Sequence, residues 1–422
     1  MFSRLSSFLL LALIPGTVAT AQESRPAVTP TPAAEIRRGE VVGQDDSGKS
    51  WYERRMERAA SRMEPSLQGD SERLPAYLDH FQRTFIEDLR FFAFDVEATA
   101  DGEGGVALTG YAEYPKHVNT FAAILGALGF DPVTTGGVTL LPDVPMDEAF
   151  GVISTTNAFL YSKPVKPRET VTEARLGDSV WILREADGHY YVHGMDGYLG
   201  WVDADEVEAM DRETFLEWND PKATRVRLRQ DIRDGQGQLR LPAGSLFPLK
   251  STLNDRTVEF LVTPTRGHAV LAKDGQELSD LLAFSDVSRM EDDVEVAVAA
   301  AKGKLGTPYV WGGTTQEGVD CSGLVQSSYA AAGIRLPRDA DQQSLVGDLV
   351  ATFWAPEGIR RGDTLFFMGR LGTISHTGMA LGDGQFIESI DQGVQINSLN
   401  PDDENYSERA AKSFVFARRV VD

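Results

Sequence analysis

Apolar residues recur three and four positions apart from Trp51 to about Leu89, with Leu74, Tyr77, Leu78, Phe81 and Phe85 marking one buried helix face. The spacing predicts two helices divided near Gly69, with Pro75 in the first turn of the second, where a missing N–H is tolerated. From 90 to 142 the pattern shifts to a small α+β unit. Phe91–Ala98 alternates as a strand, Asp101-Gly102 turns, and Val106–Tyr111 is a second strand; His117–Leu128 is a helix ended by Gly129, and Val138–Leu141 a last strand. Short runs rich in β-branched and aromatic residues then follow, cut by Gly and Asp, which predicts two small β-barrels. The first holds Ala158–Tyr161, Leu176–Leu183 and Gly197–Val202; the second holds Val226–Leu228, Leu241–Phe247 and Gly267–Leu271. Beyond Val294 the order is a helix to Leu305, a strand-like Tyr309-Val310-Trp311, a Gly-Gly turn and a helix Cys321–Ala332 stopped by Gly333. Strands Thr364–Met368, His376–Leu381 and Gln385–Ser389 complete an α+β domain, one early helix on an antiparallel sheet.

The expected division is a signal peptide at 1–21, a disordered leader at 22–50, a helical and α+β region at 51–149, barrels at 150–212 and 213–290, and a catalytic domain at 291–422. Arg4, the apolar run Phe8–Ile14 and the small residues Ala19-Thr20-Ala21 are what an export signal requires. That run is too short for a membrane span, and no other stretch approaches the roughly 18 apolar residues a span needs. The protein is therefore expected to be exported, periplasmic or secreted, and soluble. A formal charge of −22 over 422 residues argues against nucleic acid, whose binding depends on neutralising phosphates with Lys and Arg. An acidic surface suffices for solubility, and no obligate protein partner is evident in the sequence.

Cysteine usage changes the picture. An exported protein normally pairs its cysteines, yet this chain has one, Cys321. A lone thiol in an oxidising compartment is a liability unless its reactivity is wanted; the alternative is an inert buried side chain. Cys321 opens a predicted helix, where unpaired backbone amides and the positive dipole end stabilise a thiolate and can hold an oxyanion. A structural cysteine belongs instead on the apolar stripe of Leu324, Val325 and Tyr329. After residue 290 there is one histidine, His376, opening a strand, and the Asp383-Gly384 turn lays Glu388 on the strand beside it. Nucleophile, base and orienting carboxylate make a set that no single member would make. His189 and His193 share a strand face with no third ligand in view, and no Cys/His cluster, phosphate loop or calcium loop occurs, so neither metal nor cofactor is expected.

The phrases "GTPYVWGG", "VDCSGLVQSSYAAAGIRLPR", "RRGDTLFF" and "SHTGMALGDGQFIES" cover roughly Ala300–Arg419 and resemble the NlpC-type cysteine peptidases. The resemblance implies a papain-like fold and hydrolysis of peptide bonds in bacterial cell walls. It implies Cys321 as nucleophile, His376 as general base, Tyr309 lining the active site, and Asp320 and Ser322 holding a substrate's free amine. An ion pair of Asp320 with Arg338 is a compatible alternative. Glu388 stands where this family most often has His, sometimes Asn or Gln; a carboxylate there would orient the imidazole and raise its pKa. "LGDSVWIL" and "DGYLGWV" resemble bacterial SH3-like wall modules, and the strand-strand-helix-strand order at 90–142 resembles a BON-type module. Relatives with such SH3-like units cut γ-D-glutamyl bonds, which implies a γ-D-Glu–diamino acid bond in peptidoglycan or released muropeptides as substrate. It also makes Glu169, in competition with Glu173, and Tyr198 candidates for contacts near the substrate amine. A non-catalytic wall-binding protein, and a thiol amidase or acyltransferase on the same scaffold, are the alternative functions.

Overall fold

The computed structural model describes residues 48–220, 223–233, 240–271, 277–284, 293–370 and 372–421. The expected signal peptide, and the leader as far as residue 47, lie outside them. The chain divides after Arg55, and apart from the first residues of the opening helix everything described below lies in the unit from Met56 onward.

Helix Trp51–Met63, a short 3₁₀ turn and helix Leu74–Phe85 precede strands Phe94–Ala100 and Val106–Ala112, helix Pro115–Ala127 and strand Val133–Leu140. The first two strands pair antiparallel and the third pairs parallel with the second. Pro75 sits in the first turn of its helix, the position the sequence allows it. One core holds this region together: Tyr77, Phe81, Leu108, Phe121 and Ile124 are fully buried, with the Phe81 and Phe121 rings 4.9 Å apart.

Seven antiparallel strands between Phe150 and Met210 form one sheet around Leu160, Val180, Ile182, Val192 and Val202. Five more between Arg225 and Phe284 form the next, built on Phe247 stacked against Phe260 at 5.0 Å. Its long hairpin, Leu246–Asn254 with Thr257–Thr263, extends well past the Leu241–Phe247 run that composition marks.

In the last region helices Asp293–Lys302 and Cys321–Ala331 pack on a six-stranded antiparallel sheet. Its order is Asp348–Thr352, Phe414–Arg419, Thr364–Met368, Ile374–Gly382, Gln385–Ile390, Gly393–Ser398. Ala297, Val298 and Ala301 of one helix and Leu324, Val325 and Tyr329 of the other meet Met379 and Ile387 of the sheet. One expected element is absent: Tyr309-Val310-Trp311 is no strand, because the chain turns at Trp311-Gly312, closing with Gly313 N–H to Val310 O at 3.0 Å.

Glu173 ties the seven-stranded sheet to this last region. Its buried carboxylate accepts from Asn157 Nδ2 at 2.5 Å and from across the seam, from Thr314 N at 2.5 Å and the Thr314 and Thr315 hydroxyls at 3.2 Å each. Burial pushes its pKa up, and these donors offset part of that push. Replacing it with alanine leaves several buried donors unpaired, each worth about 1–3 kcal/mol. Glu173→Ala should therefore lower the urea midpoint of the folded protein, whereas an unchanged midpoint would show that the seam does not rest on this side chain.

Candidate active site

Cys321 is the first residue of its helix, and Asp320 caps it. The Asp320 side chain accepts from Gly323 N at 2.7 Å, and its carbonyl from Leu324 N at 2.9 Å. Among the described residues the amides left without an acceptor at this helix start are those of Cys321 and Ser322, which point positive partial charge at the space beside the thiol. Gly323 has a steric reason to be glycine: a Cβ there would lie 2.1 Å from the backbone oxygen of Gly313, so a side chain would push the helix start off the loop before it. Cys321 is mostly covered, 8% exposed, and stays outside the apolar cluster that includes Leu324, Val325 and Tyr329.

Asp320 is itself anchored. Arg338, fully buried, donates Nη1 to Asp320 Oδ1 at 3.0 Å and Nη2 to Oδ2 at 2.5 Å, a two-pronged pairing that fixes the carboxylate plane. The same guanidinium reaches Ser322 Oγ at 2.9 Å and, through Nε, Thr172 Oγ1 of the seven-stranded sheet at 3.0 Å. Gly312 N–H also donates to Asp320 Oδ2, at 2.8 Å. Asp320 and Ser322 are thus occupied within the protein, and breaking such a buried pair costs about 3–5 kcal/mol.

His376 lies on strand Ile374–Gly382, under Phe367, whose ring centre is 5.3 Å away. Its Nε2 meets Glu388 Oε2 at 2.5 Å, so the nitrogen turned toward its other partner, Cys321, is Nδ1. Glu388, on the neighbouring strand, has no exposed surface. Besides His376 it accepts from Asn397 Nδ2 at 2.6 Å and from Arg409 Nη2 at 2.8 and 2.9 Å to its two oxygens. Next to it, Ser389 Oγ donates to Val319 O at 2.6 Å, tying this strand to the residues that lead into the Cys321 helix. Burial by itself pushes the His376 pKa down; its bonds to Cys321 and Glu388 outweigh that and carry it up to about 9. For Glu388, burial pushes up, while His376, Arg409 and Asn397 hold the carboxylate below its ordinary value.

Tyr309 is half-buried, and burial followed by the Cys321 and Asp320 charges pushes its hydroxyl up. Tyr198 is buried and donates to Asp339 Oδ2 at 3.0 Å, and Arg90 Nη1 meets the same oxygen at 2.7 Å. Glu169 is exposed, with its backbone N–H on Ser162 Oγ at 3.1 Å, and among the described residues no contact joins it to the Cys321 helix. Its competitor Glu173 is consumed by the seam. The ring nitrogens of His189 meet Asp203, Arg168 and the Asp187 carbonyl, and those of His193 meet Glu113 and the Gly197 carbonyl. Sequence reasoning does not find Arg409 or Asn397; Arg409 is 21 residues past Glu388, and no local pattern points one at the other.

The region that holds this constellation, residues 306–413, matches the NlpC/P60 family. Residues 160–207 match the bacterial dipeptidyl-peptidase SH3 domain, so the chain joins the two. Among relatives, a γ-D-glutamyl-L-lysine dipeptidyl-peptidase of Bacillus cereus is 28% identical over 253 residues, 54% of this chain and 70% of its own length. A γ-DL-glutamyl hydrolase of Bacillus subtilis is 46% identical over 114 residues, 26% of each chain. A murein DD-endopeptidase of Escherichia coli is 36% identical over 162 residues, 37% of this chain and 56% of its own. The crystal structure of an NlpC/P60 family protein from Bacillus cereus superposes with a TM-score of 0.52 and 21% identity, over 65% of this chain and all of that one, a likeness of fold.

Because the folded state raises the His376 pKa, it favours the imidazolium; this stabilisation is complete below about 6.5 and is lost as pH climbs through about 9. An NMR titration of the His376 ring should give a midpoint near 9, and Glu388→Gln should move it downward. A midpoint that ignores the substitution would remove Glu388 from the account.

Proposed function

We propose that this chain hydrolyses peptide bonds in peptidoglycan stem peptides, with Cys321 as nucleophile, His376 as general base and acid, and Glu388 as the group that orients the imidazole. The observation that carries the reading is the chain of contacts Cys321–His376–Glu388 at a helix start with two unpaired amides. His376 Nδ1 takes the thiol proton, and the thiolate adds to the amide carbonyl. The amides of Cys321 and Ser322 face the negative charge that develops on the carbonyl oxygen. As the tetrahedral adduct collapses, the C–N bond breaks and the amine departs with the proton from His376. Water, giving its proton to the same ring, then attacks the thioester and frees the acid and the thiol.

The bond we assign joins the γ-carboxyl of D-Glu to the diamino acid. The supporting fact is the similarity to a γ-D-glutamyl-L-lysine dipeptidyl-peptidase over 253 residues, in a chain that also matches the bacterial dipeptidyl-peptidase SH3 domain. Tyr309 lines the cleft beside the thiol. Asp320 and Ser322 act through Arg338, setting the helix start; Glu169, exposed, and Tyr198, buried against Asp339, are assigned to the side of the substrate amine. Export through residues 1–21 would bring the enzyme to its substrate in the periplasm or outside the cell. No helix among the described residues is long and apolar enough to cross a membrane.

Purified protein incubated with muropeptides, and separately with intact sacculi, should release fragments cut between D-Glu and the diamino acid, read by mass. Cys321→Ala should lower that rate by more than about a thousandfold. Wall binding without cleavage would favour a binding protein, transfer products without hydrolysis an acyltransferase, and cleavage surviving in Cys321→Ala would refute the mechanism.

A further inference from the structure

A carboxylate with no exposed surface is an expensive thing to place beside a histidine that must also be free to lose its proton. When His376 is the imidazolium it offers Glu388 a counter-charge; when it gives the proton to a leaving amine, that counter-charge disappears in mid-reaction. Glu388 therefore needs a partner whose charge does not cycle. Arg409 is that partner. It comes from the short helix Glu408–Ser413, whose first turn is fixed by Ser407 Oγ accepting from Ala410 N at 3.2 Å. Half-exposed at its own end, it reaches inward to both oxygens of Glu388, while Asn397 holds Oε1 from the strand on the other side.

We propose that Arg409 is a positioning residue for the reaction: it completes an alternating-charge chain, Cys321–His376–Glu388–Arg409, that keeps the buried carboxylate on the imidazole through the turnover. The proposal rests on the hydrolase reading above. Charged and titratable groups facing Glu388 are His376 from the adjoining strand, Arg409 from the helix and, across the ring, Cys321; Asn397 is neutral. Arg409 touches Glu388 and reaches the reacting atoms only through it. Taking its charge away makes the carboxylate easier to protonate, so the damage falls on the acid side of the pH profile, where a protonated Glu388 no longer counters the imidazolium.

The test compares wild type, Arg409→Gln, Arg409→Lys, Glu388→Gln and the double substitution, measuring kcat/KM on muropeptide across pH. In parallel, iodoacetamide alkylation of Cys321, the sole cysteine, is followed without substrate. Arg409→Gln should move the acid limb upward by about one pH unit, a tenfold loss at the foot of that limb with much less change near pH 8. Arg409→Lys should recover part of the shift, and Arg409→Gln should add nothing to Glu388→Gln. An equal loss at every pH, or losses that add in the double variant, would overturn the proposal. Should wild type cleave nothing while the acid limb of alkylation still shifts, the positioning role stands and the hydrolase reading falls. Cleavage with an unmoved acid limb does the opposite: the hydrolase reading stands and the positioning role falls.

Discussion

Everything at this site depends on one buried carboxylate. Glu388 is covered by its own sheet, and a lone negative charge there would be expelled or neutralised. It is tolerated because His376, Arg409 and Asn397 surround it with donors, and that arrangement in turn raises the His376 pKa. The histidine's readiness to hold a proton opposite Cys321 is thus a property of the strand pairing and of a helix that arrives after it, more than of the histidine itself.

A second buried pair sets where the thiol stands. Asp320 and Arg338 lock the helix start from below, and Arg338 extends the lock to Thr172 in the seven-stranded sheet. Glu173 makes the complementary reach from that sheet to Thr314 and Thr315. Two buried polar ties therefore join the SH3-type region to the loops on either side of Cys321. Asp320, Ser322 and Glu173, which the sequence offers for the substrate amine, are hydrogen-bonded within the protein here and hold the surroundings of Cys321 in place.

Much of this is readable in the chain. The strands carrying His376 and Glu388 announce themselves by alternation and by the Asp383-Gly384 turn, and both are found where that pattern puts them. Cys321 opens its helix as Asp-Cys-Ser-Gly suggests, since an N-cap is a local signal. Partners chosen across long stretches are not readable. Nothing near Arg409 says that it turns toward Glu388, and nothing near Glu173 says that it prefers Thr314 to solvent; such choices are made by packing. The aromatic run Tyr309-Val310-Trp311 misleads for a related reason. β-propensity describes fit to a half-buried pleat, and here the chain turns at Trp311-Gly312 before a ladder can extend.

The most direct measurement is the rate at which iodoacetamide alkylates Cys321 at pH 6 in the wild type and in His376→Ala. Because the chain has one thiol, all alkylation reports on Cys321. A thiolate kept by a charged imidazole predicts that the wild type reacts at least about tenfold faster than the variant at that pH. Equal rates would mean that Cys321 and His376 do not act as a pair, and the account built on them would fail.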